Sequence, residues 1–167
     1  MATEPKETSP GPLRLFVESV SEGRCEGTIV SGTLNVGDAI VIADTGQPLP
    51  FVGLEQEGAS VPSANTGARV TLLLTKETVP SMGNLLASAA DRPEVADQFA
   101  ALVTWQSERP LMPGRRYTCH LGPRRVTATI TEIKYKVDPS TGGHMAAKTL
   151  RAGETGLCNL STHQQLA

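Results

Sequence analysis

The stretch GTIVSGTLNVGDAIVIADTG, residues 27–46, decides the fold class of this chain. Its apolar runs are cut by Gly27, Gly32 and Gly37, so none is long enough for a helix of ordinary length. Gly37-Asp38 and Asp44-Thr45-Gly46 are tight-turn sequences, and residues 39–43 between them read as a strand. The glycines suit places where strands bend sharply or backbones pack closely. Asp38 has the short carboxylate that hydrogen-bonds its own turn.

The same grain continues outward. Residues 13–20 read as a strand, residues 51–54 as another, and residues 57–67 form a Gly/Ser/Pro/Asn loop ending at Gly67. The strongest strand signal is at 69–75, where Val70, Leu72 and Leu74 share one face. Met82-Gly83 turns the chain into a strand at 84–88. That is about six strands in about 75 residues, the spacing of a small barrel. SAADRPE, residues 88–94, is small and polar with a proline and reads as a junction between two units.

The second half repeats the pattern. Strands are expected at 98–105, 115–121, 126–137 and 156–162, with ERPLMPG and Gly122-Pro123 as turns. The third of these carries a conflict of parity. Val126, Ala128 and Ile130 share one alternation, while Ile133, Tyr135 and Val137 share the other. Both sets reach one buried face only if an extra residue is inserted, so a β-bulge is expected near Thr131-Glu132. Residues 138–156 read as a long loop with one helical turn. The expected architecture is all-β: a disordered tail at 1–12, a first antiparallel β-barrel at 13–90 and a second at 91–167.

Composition agrees with this and narrows function. Aromatic residues are 4% of the 167, so the core must come from aliphatic side chains, and 16 Gly with 12 Pro supply frequent turns. Fifteen Lys and Arg against 17 Asp and Glu give a net charge of -2, without general attraction to nucleic acid or anionic lipid. No apolar run approaches the roughly 18 residues of a spanning helix. The polar, Pro-rich start lacks the apolar region of a secretory signal. Cys25, Cys119 and Cys158 are odd in number, far apart and free of C-x-x-C spacing, which argues against disulfides and fits a reducing cytoplasm. Cys119 and His120 are adjacent, so a strand points them to opposite faces and away from a shared metal. No metal and no cofactor is expected.

At this point the sequence resembles a known family. GTIVSGTLNVGDAIVI matches the G-x-[IV]-x-x-G-x-[LIV]-x-x-G-D pattern of the second domain of translation-factor GTPases, of the elongation factor Tu type. ANTGARVTLLL (64–74) and VPSMGNLLA (79–87) are similar to later strands of that domain. In the second half, Trp105, Pro110-Leu111, Pro113-Gly114, Tyr117, Ile133, Tyr135 and Val137-Asp138 resemble the third domain of the GTP-binding large subunit of bacterial sulfate adenylyltransferase. The resemblance implies barrels that hold a GTPase domain against the catalytic sulfurylase subunit, with protein partners and no chemistry of their own.

Three departures qualify what carries over. Neither a phosphate-cradling G-x-x-x-x-G-K-[ST] nor a guanine-reading N-K-x-D occurs, so the family's route to GTP is closed to these residues. Position 82 is Met where translation factors usually carry Arg, which weakens the alternative of a module for the aminoacyl-tRNA acceptor end. The family's third domain continues for two strands beyond the position of Thr162. The second barrel is therefore expected to be truncated, with an unpaired edge. That edge implies a homodimer or a partner complex with residues 163–167 at the contact.

Other candidates weigh less. Asp44-Thr45-Gly46 is also the triplet of single-copy aspartic proteases, which join two carboxylates from two chains; the following Gln47-Pro48 departs from them, and a hairpin turn explains the triplet. Arg115, Arg116, Arg124, Arg125, Lys134 and Lys136, with Trp105, form the candidate interaction surface. Without interleaved exposed aromatics it suits a protein better than a nucleic acid. Trp105, beside a Pro-rich turn, is placed to plug one barrel mouth. His144 is expected to be exposed and idle. Gly27, Gly32, Gly37, Asp38, Gly67 and Gly83 are expected to be structural, and no residue is assigned a catalytic role.

Overall fold

The computed structural model of the chain describes residues 11–75 and 78–167. The expected tail therefore lies outside the described residues as far as position 10. Among those described, the chain is all-β with every strand pair antiparallel, and its one helical element is a 3₁₀ turn at Ala89–Asp91. The described residues divide into two compact units, those up to 94 with 122–124 and 167, and residues 95–121 with 125–166.

The first unit contains β1 (Arg14–Ser21), β2 (Arg24–Ser31), β3 (Thr33–Asn35), β4 (Ile40–Ile42) and β5 (Gln47–Pro48). It continues with β6 (Phe51–Gln56), β7 (Ala59–Ser60), β8 (Ser63–Asn65), β9 (Arg69–Leu74) and β10 (Leu85–Ser88). The sheet order is β5-β4-β10-β1-β2-β9-β6-β7, with β3 and β8 paired apart. Its core is aliphatic: Leu15, Val17, Cys25, Ile29, Leu34, Leu54, Val70 and Leu72 are buried together. The alternation of Val70, Leu72 and Leu74 into this core is what period-two patterning requires.

Glycine positions decide how tightly the first unit closes. A β-carbon on Gly27 would lie 2.2 Å from the Phe16 carbonyl oxygen, so β2 pairs with β1 there at a separation where only hydrogen fits. Gly32 has φ +76°, and a β-carbon there would stand 2.7 Å from Gly11 and Leu13 backbone. Gly37, Gly67 and Gly83 also lie at positive φ, in turns. Asp38 accepts the Asn35 N–H at 2.8 Å, closing its own turn.

The second unit is built from β11 (Ala96–Thr104), β12 (Arg116–Leu121), β13 (Arg124–Val137), β14 (His144–Met145) and β15 (Thr155–Leu166). The sheet order is β11-β15-β13-β12, with β14 on β13 and a bridge between Leu111 and Leu150. Leu111, Ile130, Ile133, Leu150 and Cys158 form its core. The expected bulge is present: Ile130 faces Leu160 and Glu132 faces Asn159, leaving Thr131 extra.

Two expectations change. Residues 138–156 are more than a loop: the expected single helical turn is there, with the Gly142 N–H donating to the Asp138 carbonyl at 2.8 Å, and β14 follows it, folded back along β13. The last strand does not end at Thr162 but runs to Leu166, which pairs with Ala96 and is buried. Residues 163–166 are therefore part of a strand and not a free tail, held by the apolar Leu166.

Candidate functional site

The candidate surface separates once side chains are placed. Trp105 packs against the second core, lies edge-on to Tyr117 at 5.4 Å between centroids, and donates its indole N–H to the Arg109 carbonyl at 2.7 Å. It is a half-buried structural plug whose one polar atom is satisfied. Lys136 donates to the Glu154 carboxylate at 2.8 Å, and Lys134 lies 3.7 Å from Glu132. Arg124, which falls within the first unit, forms an ion pair with Asp44. Arg115, Arg116 and Arg125 remain exposed, with no carboxylate at ion-pair distance among the described residues. They are the part of the basic group available to an outside anion.

Asp44 is a turn residue. Gly46 N–H donates to the Ile42 carbonyl at 2.7 Å, and the Thr45 hydroxyl accepts the Gln47 N–H at 3.2 Å. The Asp44 carboxylate faces a guanidinium, the opposite of the second carboxylate that a shared-proton dyad needs. Arg92, which sequence reasoning passed over, braces this turn by donating to the carbonyls of Ala43 at 2.8 Å and Asp44 at 3.2 Å. Only the polar character of SAADRPE hinted at it.

His144 is exposed but not idle. Its ring stacks on Tyr135 at 3.6 Å between centroids and 10° between planes, fastening β14 to β13. Cys119 is half-buried and His120 exposed, on opposite faces of β12. Burial pushes the Cys25 thiol up to about 12, with Glu26 adding to the shift, and burial also raises Cys158. These two are core residues poorly suited to nucleophilic or ligand chemistry.

Three concavities among the described residues gather no catalytic set. A cleft of about 470 Å³ in the first unit includes Asp38 and Asp91, but Asp38 serves its turn and Asp91 lies 3.8 Å from Arg14. One of about 450 Å³ in the second unit, between Gln98, Thr131, Asn159 and Ser161, holds no titratable side chain. Another, of about 340 Å³, holds Lys136 and Glu154, already paired to each other. No three His, Cys, Asp or Glu among the described residues come together as a metal site, and no helix there is long and apolar enough to cross a membrane.

Residues 98–167 match the family described as GTP-eEF1A C-terminal domain-like. The chain is 40% identical to the bifunctional enzyme NodQ of Rhizobium sp. (strain N33), over 93% of its own length and 25% of that protein. It is 31% identical to sulfate adenylyltransferase subunit 1 of Shewanella oneidensis, over 91% of its length and 32% of that protein. The chain thus spans about a quarter to a third of these relatives. A crystal structure of sup35 complexed with GDP superposes with a TM-score of 0.80 at 16% identity, covering 94% of this chain and 40% of that one, which shows the fold alone. The chain is similar to the elongation factor Tu-like barrel region of the sulfate adenylyltransferase large subunit, as its glycine and Trp105 motifs implied.

Proposed function

We propose that this chain is a non-catalytic β-barrel module that holds proteins together around sulfate activation in the cytoplasm. The observation that carries this reading is the likeness over 91% of the chain to a sulfate adenylyltransferase subunit. No cluster of three His, Cys, Asp or Glu forms among the described residues, and what they offer is surface. Its partner on this reading is the catalytic sulfurylase subunit or a GTPase domain, met through Arg115, Arg116 and Arg125. Unpaired guanidiniums suit acidic partner side chains and steer association.

The tRNA alternative draws less support. Met82 is 72% exposed at the relevant turn and offers a thioether, not a charge, to a phosphate. Mixing the chain with purified catalytic subunit of a bacterial sulfate adenylyltransferase tests the proposal. Co-elution on gel filtration is the expected result, together with no affinity for GTP. Separate elution at all ratios, or micromolar GTP binding, would overturn it.

A further inference from the structure

The two ends of the second sheet are strand edges with different protection. β12 exposes Arg116 and His120, with Arg115 immediately before it. The charges of Arg115 and Arg116 oppose pairing with a like edge. β11 carries one charge, Asp97, and no Lys, Arg or Pro between Ala96 and Thr104. Its only register shift lies between Ala96 and Gln98, so residues 98–104 run uninterrupted along β15.

Backbone phase fixes what this edge presents. Trp105 N–H donates to the Glu154 carbonyl at 2.9 Å, and the Trp105 carbonyl accepts the Gly153 N–H at 2.7 Å. Odd-numbered residues of β11 therefore turn their backbone groups toward β15. Gln98, Ala100, Leu102 and Thr104 turn theirs to the open side, where no strand of the described residues meets them. Leu102 is 66% exposed at the middle of this edge.

We propose that a second copy of this chain adds to β11 in antiparallel register, about a two-fold axis through Ala101. Ala100 then faces Leu102 of the second copy, and Gln98 faces its Thr104. These are the residues whose N–H and C=O groups point outward, so the pairing forms about eight new backbone hydrogen bonds. Phe99 meets Val103 on the inner face, continuing the core side of both sheets. The small Ala101 pair occupies the axis, where the α-carbons come closest. Asp97 falls opposite Trp105, so no like charges meet. An equivalent pairing through β12 would set its Arg and His residues against one another. This inference does not rest on the proposed sulfate role.

Sedimentation equilibrium of the full chain tests it, with the wild type expected to show a concentration-dependent dimer. Leu102→Pro removes an N–H that points outward and is unused within the sheet, while Leu102→Lys sets a charge on the outer face of the edge strand, diagonal to the same charge on the second copy. Each is expected to weaken dimerisation by about a hundredfold with an unchanged β-type circular dichroism spectrum. If the proline variant fails to fold, the lysine variant decides. Thr118→Lys on β12 is expected to leave the dimer intact. A wild type that stays monomeric at its solubility limit would overturn the proposal. So would a dimer that survives a folded Leu102 variant, or one lost through Thr118→Lys.

Discussion

Ile130 and Ile133 bury the same face of β13 although an odd number of positions separates them. Strict alternation would put them on opposite faces. They are reconciled by Thr131, which has no partner of its own between the Ile130–Leu160 and Glu132–Asn159 pairs and donates its hydroxyl to the Asn159 carbonyl at 3.2 Å.

Deleting Thr131 should therefore remove the bulge and leave Ile130 and Ile133 on one buried face by plain alternation. The expected cost is well below the roughly 3 kcal/mol of removing one large aliphatic side chain from a core. Thermal unfolding followed by circular dichroism checks this. A loss of that size or more would show that Thr131 does more than set the phase of the strand.

The close pairing of β2 with β1 allows no side chain at Gly27. Gly27→Ala should destabilise the first unit by about 3 kcal/mol or more, because the β-carbon meets backbone and not a movable side-chain tip. Gly37→Ala faces open space at φ +97° and should cost only about 1 kcal/mol of backbone strain. Urea titration of both variants tests the order of the two effects.

The three cysteines should differ sharply toward a thiol reagent. Cys25 and Cys158 are buried with raised thiols, whereas Cys119 is half-exposed on an edge strand. Native protein at mildly alkaline pH should label at Cys119 alone, and Cys119→Ser should remove that labelling; urea should release the other two. Fast native labelling of Cys25 would contradict the packing of the first core.

Glu154 accepts the Arg151 N–H at 2.8 Å and the Lys136 ammonium at 2.8 Å. The Arg151 hydrogen bond first, and Lys136 second, hold its carboxyl below the usual carboxylate range. A lowered folded value means the charged form is favoured by folding. The stabilisation is therefore present above the ordinary carboxylate value and lost as pH falls through the lower folded one. Melting temperature measured against pH should show this loss in the acid range, and Glu154→Gln should flatten that part of the curve.

What the sequence shows and what it hides divide along a physical line. Period-two alternation and turn residues are local, so the strands around Val70, the Asp38 turn and the bulge at Thr131 can be read from neighbouring residues. The Arg92 brace on Ala43, the Arg124–Asp44 pair and the His144–Tyr135 stack join residues distant in the chain. No periodicity encodes them. The candidate surface suffers most from this, because exposure alone does not distinguish the free Arg115, Arg116 and Arg125 from the paired Lys134 and Lys136 until neighbours are placed. Resemblance supplied the barrel identity, and side-chain placement supplied the surface.

Calorimetric titration of the chain with the purified catalytic subunit of a sulfate adenylyltransferase is the most direct test of the module's proposed role. Saturable binding is expected, with a Kd near 1 μM or tighter, about −8 kcal/mol. The Arg115→Glu, Arg116→Glu double variant should weaken it at least about tenfold by reversing the charge that meets the partner. No heat of binding from the wild type, at concentrations well above that Kd and with both proteins folded, would contradict it.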